Sequence, residues 1–149
     1  MTELKIIPLE KSHYDEWLTL YQGYAEHYHV ELTENGVAQT WGWLHSDTSP
    51  VTGIVVVMDG HLVALAHYRA MPSPLRGAEV GFLDDMFVSH AARGAKVGEK
   101  LLNHLAGICT QNGWPVMRWI TRDNNYRARS LYDRVATKAD WNTYEMMPS

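Results

Sequence analysis

The chain has 149 residues, 46% of them hydrophobic, and a formal net charge of −4. That length suits one domain with a single core; no apolar run reaches the ~18 residues of a membrane span, and an acidic balance without a basic stripe argues against general nucleic-acid binding. The start, Met-Thr-Glu-Leu-Lys-Ile-Ile-Pro, lacks the apolar stretch of a signal peptide and Cys109 stands alone, so a cytoplasmic protein without an intrachain disulfide is expected.

In chain order, residues 4–7 read as a strand stopped by Pro8. Residues 14–28 follow as a helix in which Trp17, Leu18, Tyr21, Tyr24 and Tyr28 recur at helical spacing. A second short helix, 36–44, carries Val37, Trp41 and Leu44. Residues 53–58 and 61–68 are β-branched or apolar runs joined by Asp59-Gly60, a dipeptide that tolerates the positive φ of a tight hairpin turn. After a Pro-containing loop at 71–77 comes a long strand, 79–88.

From Val97 a helix places Val97, Leu101, Leu102, Leu105, Ile108 and Cys109 on one face and ends at Asn112-Gly113. A strand at 116–121, a turn at Asn124-Asn125, a short helix at 127–135 and a closing strand at 143–146 complete the chain. The order β-α-α-β-β-β-α-β-α-β predicts a single mixed α/β (α+β) domain over residues 1–149.

Between the long strand and the helix that follows lies Arg93-Gly94-Ala95-Lys96-Val97-Gly98. Small residues let backbone approach an anion, the helix N-terminus presents free N–H groups, and Arg93 and Lys96 add charge. A plain strand-to-helix turn would look the same, so the loop alone leaves both readings open.

Asp84 and Asp85 are adjacent within an otherwise apolar strand. Regular alternation would turn them to opposite faces, where they could not share one job. Trp17, Tyr21, Tyr24, Glu26, Tyr28, Glu31, Glu34 and Trp41 could form an aromatic, acidic wall for a cationic amine, or simply be core. His27-Tyr28-His29 has no third ligand at fixed spacing, so no metal site is expected.

Three segments taken together, Phe82-Leu83-Asp84-Asp85-Met86-Phe87-Val88, the Arg93 to Gly98 loop and Asn125-Tyr126-Arg127-Ala128-Arg129-Ser130-Leu131-Tyr132, resemble the Gcn5-related N-acetyltransferase (GNAT) superfamily. Within it they look most like the spermidine/spermine and histone/polyamine acetyltransferases. The resemblance covers roughly the C-terminal two-thirds; the first half agrees in the order of its elements and its aromatic-rich helices.

The resemblance implies a strongly twisted sheet that splays open after the Phe82 to Val88 strand, and direct transfer of an acetyl group from acetyl-CoA to a primary amine. The acceptor stays open among a small polyamine-like molecule, an amino acid, an aminoglycoside and a protein amino group, and the resemblance implies a homodimer. Met86, Phe87 and Val88 would line the pantetheine arm, Arg93, Gly94, Ala95, Lys96, Val97, Gly98 and Glu99 would cradle the pyrophosphate, and Asn125, Arg127 and Ala128 would form the adjoining wall. Asp84 would be the base, directly or through water, a backbone N–H near Phe87 would steady the oxyanion, and Tyr132 would protonate the departing thiolate. Tyr24, Tyr28, Trp41 and Asp84 would face the amine.

One position departs from the family pattern R/Q-x-x-G-x-G/A: Lys96 stands where the central glycine belongs. With a negative φ it would add its ammonium to the pyrophosphate contacts; a positive φ would cost about 1 kcal/mol or more. Two rival readings are an acyl-CoA-binding domain without turnover, and a different nucleotide-phosphate enzyme, for which the chain lacks both G-x-x-x-x-G-K-[ST] and G-x-G-x-x-G.

Overall fold

The computed structural model describes residues 3–92 and 96–149. Among these, β1 (Leu4–Pro8), α1 (Tyr14–His27), α2 (Glu34–Leu44), β2 (Val51–Met58), β3 (His61–Ser73), β4 (Ala78–Val88), α3 (Val97–Asn112), β5 (Met117–Arg118) and α4 (Tyr126–Val135) follow in order. The strands form one sheet in the order β1-β2-β3-β4-β5. It is antiparallel up to β4, and β5 joins parallel to β4, giving a mixed sheet.

Local chemistry explains the boundaries. Asp59 and Gly60 take φ of +53° and +79°, the pair of positive values that a two-residue turn matched to strand twist requires. Helix α2 begins at Glu34, two residues ahead of its expected start, because the Thr33 hydroxyl caps it by accepting from the Gly36 N–H at 3.0 Å. Strand β3 runs on through Ser73, so most of the expected 71–77 loop is strand or its tight turn.

Two apolar layers cover the sheet. On one side Val97, Leu101, Leu102, Leu105 and Ile108 of α3 pack on Ile54, Val56, Ala64, Ala66 and Leu83. On the other, Trp17 and Leu20 of α1 and Val37 of α2 pack on Val55, Leu62 and Leu65. The expected buried face of α3 is the observed one, Cys109 included. Each such side chain removed from water contributes about 1.5–3 kcal/mol.

The last part of the chain corrects the sequence reading. The expected 116–121 strand is paired only at Met117 and Arg118, and residues 143–146 form no strand, with Tyr144 and Met146 88% and 94% exposed. A two-residue parallel ladder gives a following strand almost no edge to extend. The alternation at 143–146 therefore has no apolar surface to fold onto.

Candidate active site at the split between β4 and β5

The sheet opens because β4 and β5 meet only at Gly81↔Met117 and Phe82↔Arg118. The approach at that point is close: a Cβ on Gly81 would lie 2.8 Å from Trp114 and 2.9 Å from Met117. Beyond it the β4–β5 ladder stops, and a cleft of about 580 Å³ opens between the β4 edge, the start of α3 and α4. Past Phe82 the β4 edge has no strand partner on this side among the described residues, so its N–H and C=O groups can pair with an extended, amide-bearing ligand.

Met86, Phe87 and Val88 line the cleft from this edge. Lys96, Val97, Gly98 and Glu99 line it from the start of α3, and Asn125, Arg127, Ala128 and Tyr132 from α4 and the turn before it. Arg93, Gly94 and Ala95, expected in the same cradle, lie outside the described residues. Lys96 adopts φ +58°, ψ +31° at the helix N-cap, so the strained alternative is the one realised, at about 1 kcal/mol. Gly98 serves packing as well as access: a Cβ there would come 3.1 Å from Leu131 of α4.

Asn125 makes no capping bond to α4. Its amide instead donates to the Tyr28 hydroxyl at 3.4 Å and to Thr121 Oγ1 at 3.3 Å. Arg122 reaches the same tyrosine, donating to the Tyr28 carbonyl at 3.2 Å with its guanidinium 5.6 Å from the ring. The end of α1 is thus tied to the β5–α4 connection across the mouth of the cleft.

Tyr132 packs edge-on against Trp119, ring centroids 5.3 Å apart. Burial, and secondarily the charge of Tyr28, push its pKa up to about 12. It therefore keeps its proton at neutral pH and can give it to a stronger base. Cys109 is buried, and burial raises its thiol pKa, the opposite of what a nucleophilic thiolate needs.

The two acids overturn the expectation of opposite faces. The β3–β4 register slips at one point: His67 pairs with Asp85 but Tyr68 with Leu83, leaving Asp84 as an extra residue in β4. Such a bulge shifts the strand's alternation by one. His67 and Arg69, two apart on β3 and so on one face, receive both carboxylates: Arg69 Nε donates to Asp84 Oδ2 at 2.9 Å, and His67 Nδ1 lies 2.7 Å from Asp85 Oδ2. The Arg69 guanidinium also stands 4.9 Å over the Phe82 ring.

Tyr24 and Tyr28 line the cleft, and both border, with Asp84, Met86 and Tyr132, a smaller recess beside it. Trp41, expected to face the amine, does not: it packs among Tyr14, Trp17 and His45, centroids 4.9, 4.8 and 4.3 Å away. An aromatic on α2 at helical spacing here serves the core. Sequence reading gave no cleft role to His27, which it weighed only as a metal ligand, or to Leu131, and it passed over His90 and Arg134 and the buried His67. The one available signal was a histidine inside an apolar strand.

The acetyltransferase (GNAT) family pattern matches residues 13–136. The chain belongs to that family. GNAT proteins are acyltransferases that draw on acetyl-CoA, and the cleft has the elements for it: a free strand edge, a helix N-terminus, and Lys96, Arg127 and Arg134 at its wall. A D-amino-acid N-acetyltransferase of Saccharomyces cerevisiae is 32% identical over 100 residues, 67% of this chain and 56% of its own length, so the match spans little more than half of that protein. A ribosomal-protein-alanine N-acetyltransferase from Brucella melitensis biovar Abortus 2308 superposes with a TM-score of 0.82 at 22% identity over 97% of this chain and 99% of its own. An aminoglycoside N-acetyltransferase solved in complex with CoA gives a TM-score of 0.83 at 16% identity over 100% and 97% of the two chains. No helix among the described residues is long and apolar enough to cross a membrane.

Proposed function

We propose that the protein is an N-acetyltransferase that moves an acetyl group from acetyl-CoA directly to a primary amine. The observation that carries this reading is the convergence, on one cleft at the sheet split, of the β4 edge at Met86 to Val88, the α3 start at Lys96 to Glu99, and Asn125 and Tyr132 from the α4 side. The cleft, about 580 Å³ in volume, carries Lys96, Arg127 and Arg134 at its wall, where phosphate charge can be met.

Acetyl-CoA, when bound, supplies the activated thioester. The chain's residues do the rest. The β4 edge holds the arm of the ligand in extended form, and Lys96 with Arg127 offsets phosphate charge. The β3 register turns the Phe87 N–H towards Leu65 and leaves the N–H groups of Met86 and Val88 on the open edge, so the donor for the acyl oxygen is one of these neighbours, and Tyr132 holds a proton for the leaving sulfur. The buried, high-pKa thiol of Cys109 supports transfer in one step, without an acyl-enzyme.

The acceptor is an amine small enough to reach Tyr24, Tyr28 and the acids of β4, with the α-amine of an amino acid placed first because the yeast relative is a D-amino-acid N-acetyltransferase. Polyamines and protein amino groups are the next classes. Exposed Trp141, Tyr144, Met146 and Met147 favour a homodimer that covers them, and the protein is read as cytoplasmic.

Release of CoA thiol, measured over a panel of D- and L-amino acids, polyamines and a lysine peptide, tests the reading. Turnover of at least one amine is expected. Thermal stabilisation by acetyl-CoA with no turnover on any amine would replace it with the binding-domain alternative, which the Arg69 grip on Asp84 favours.

A further inference from the structure

The family resemblance implies Asp84 as the base, but the geometry favours its neighbour. The Asp84 carboxylate is engaged by Arg69 at 2.9 Å. Asp85 lies at the end of a different chain of contacts. Trp17 Nε1 donates to His67 Nε2 at 2.9 Å, His67 Nδ1 lies 2.7 Å from Asp85 Oδ2, and the Tyr21 hydroxyl donates to the same oxygen at 3.1 Å.

This chain fixes the protons. An indole N–H can only donate, so His67 Nε2 must be the bare nitrogen and Nδ1 must carry the hydrogen given to Asp85. Trp17 is 0% and His67 1% exposed, so water does not compete for these bonds. His67 is therefore a fixed neutral donor that orients Asp85 and does not itself take a proton while Trp17 holds it.

Asp85 Oδ1 accepts no hydrogen bond among the described residues. On the cleft side of Tyr21 stands Tyr24, stacked on it with centroids 5.8 Å apart and an interplanar angle of 11°, its hydroxyl donating to the main-chain carbonyl of Asp84, the residue beside Asp85, at 3.5 Å. Burial first, and then the Asp85 charge, raise the Tyr24 pKa well above its usual value. Such a phenol is not a base by standing ionised; it can accept a proton only while passing its own on.

We propose that Tyr24 and Asp85 carry away the proton of the acceptor's ammonium group, with Trp17, His67 and Tyr21 as the residues that position Asp85. The inference rests on the acetyltransferase reading. In the step, the substrate N–H bond breaks with its electron pair left on nitrogen and the proton goes to the Tyr24 oxygen. The Tyr24 O–H turns from the Asp84 carbonyl it donates to at rest and passes its proton to the carboxylate of Asp85, directly or through one water. An ammonium and a carboxylate become a neutral amine and a carboxylic acid, Tyr24 is unchanged, and the proton later leaves Asp85 to water. The charged and titratable groups facing Asp85 are Tyr21 and Tyr24 from α1, His67 and Arg69 from β3, and Asp84 from β4 itself.

The test is the pH dependence of kcat and KM for Asp85→Asn and Tyr24→Phe, using the first amine the wild type acetylates. The asparagine carbonyl can still accept from His67 and Tyr21, and acetyl-CoA thermal shifts report whether each variant keeps its fold and cleft. Both variants should lose about 100-fold or more in kcat at neutral pH, recover most of it at pH values where the amine arrives unprotonated, and leave acetyl-CoA affinity within a few-fold. Asp85→Glu should regain part of the neutral rate. A loss equal at every pH, or one confined to KM, overturns the relay. Amine turnover by the wild type carries the acetyltransferase reading whatever the variants do, so the two fail separately.

Discussion

The two faces of the sheet meet at the same cleft but are built differently. On the α3 side the wall is backbone and small residues: the free edge at Met86 to Val88, Lys96 at its positive φ, and Gly98 against Leu131. On the α1 side it is side chains joined over long separations, as Trp17 to His67 and Tyr21 to Asp85. Backbone sites suit a ligand that is always the same. Side-chain networks suit one whose charge must be handled.

The largest effect expected from breaking this division is at the residue both sides share. Tyr132→Phe should lower kcat by about 100-fold or more while leaving acetyl-CoA binding intact, read by thiol release and thermal shift; an unchanged kcat would move the proton donor elsewhere. Next, His67→Ala empties a buried position and strands the Trp17 N–H, and should cost about 2–4 kcal/mol, measured by denaturant unfolding. A loss under 1 kcal/mol would show that the α1-side network is not part of the fold's support.

Alkaline titration separates the faces more gently. Tyr132 in the fold is raised to about 12 from an ordinary 10.0, and Tyr21 and Tyr24 are raised too. The unfolded phenols release protons first, so stability should be intact below pH 10 and fall as pH climbs from there towards 12. A Tm flat from pH 9 to 12 would contradict the burial of these phenols. The smallest effect is Lys96→Gly, which should relieve strain and raise stability by about 1 kcal/mol; if the ammonium also meets phosphate, acetyl-CoA will bind more weakly to this more stable protein. Calorimetry reads both.

What was legible follows the same division. The apolar face of α3 and the Asp59-Gly60 turn depend on contiguous residues and fixed spacings, which a single sequence displays; the place of Met86 to Val88 on the cleft came through the family resemblance. Trp41 was misplaced because a helix stripe of aromatics reads alike whether it meets ligand or core. The β5 ladder and the closing strand were overextended because alternation marks a residue's fitness for a sheet, not the presence of an edge to join. His67 and Arg69 were passed over because their partners lie 18 and 15 residues away across a bulge.

The extra residue at Asp84 makes β4 a strand written in two frames. Before it, Phe82 shares a face with Arg69; after it, Asp85 and Phe87 share that face, while Leu83, Met86 and Val88 look the other way. Were Asp84 paired as an ordinary strand residue, everything after it would turn over, sending Met86 and Val88 to α1 and Asp85 into the apolar layer under α3; deleting it would only remove the bulge and leave the later side chains on their present faces. Leaving that one residue out of the ladder thus keeps a carboxylate out of oil and two aliphatic side chains out of the amine's path.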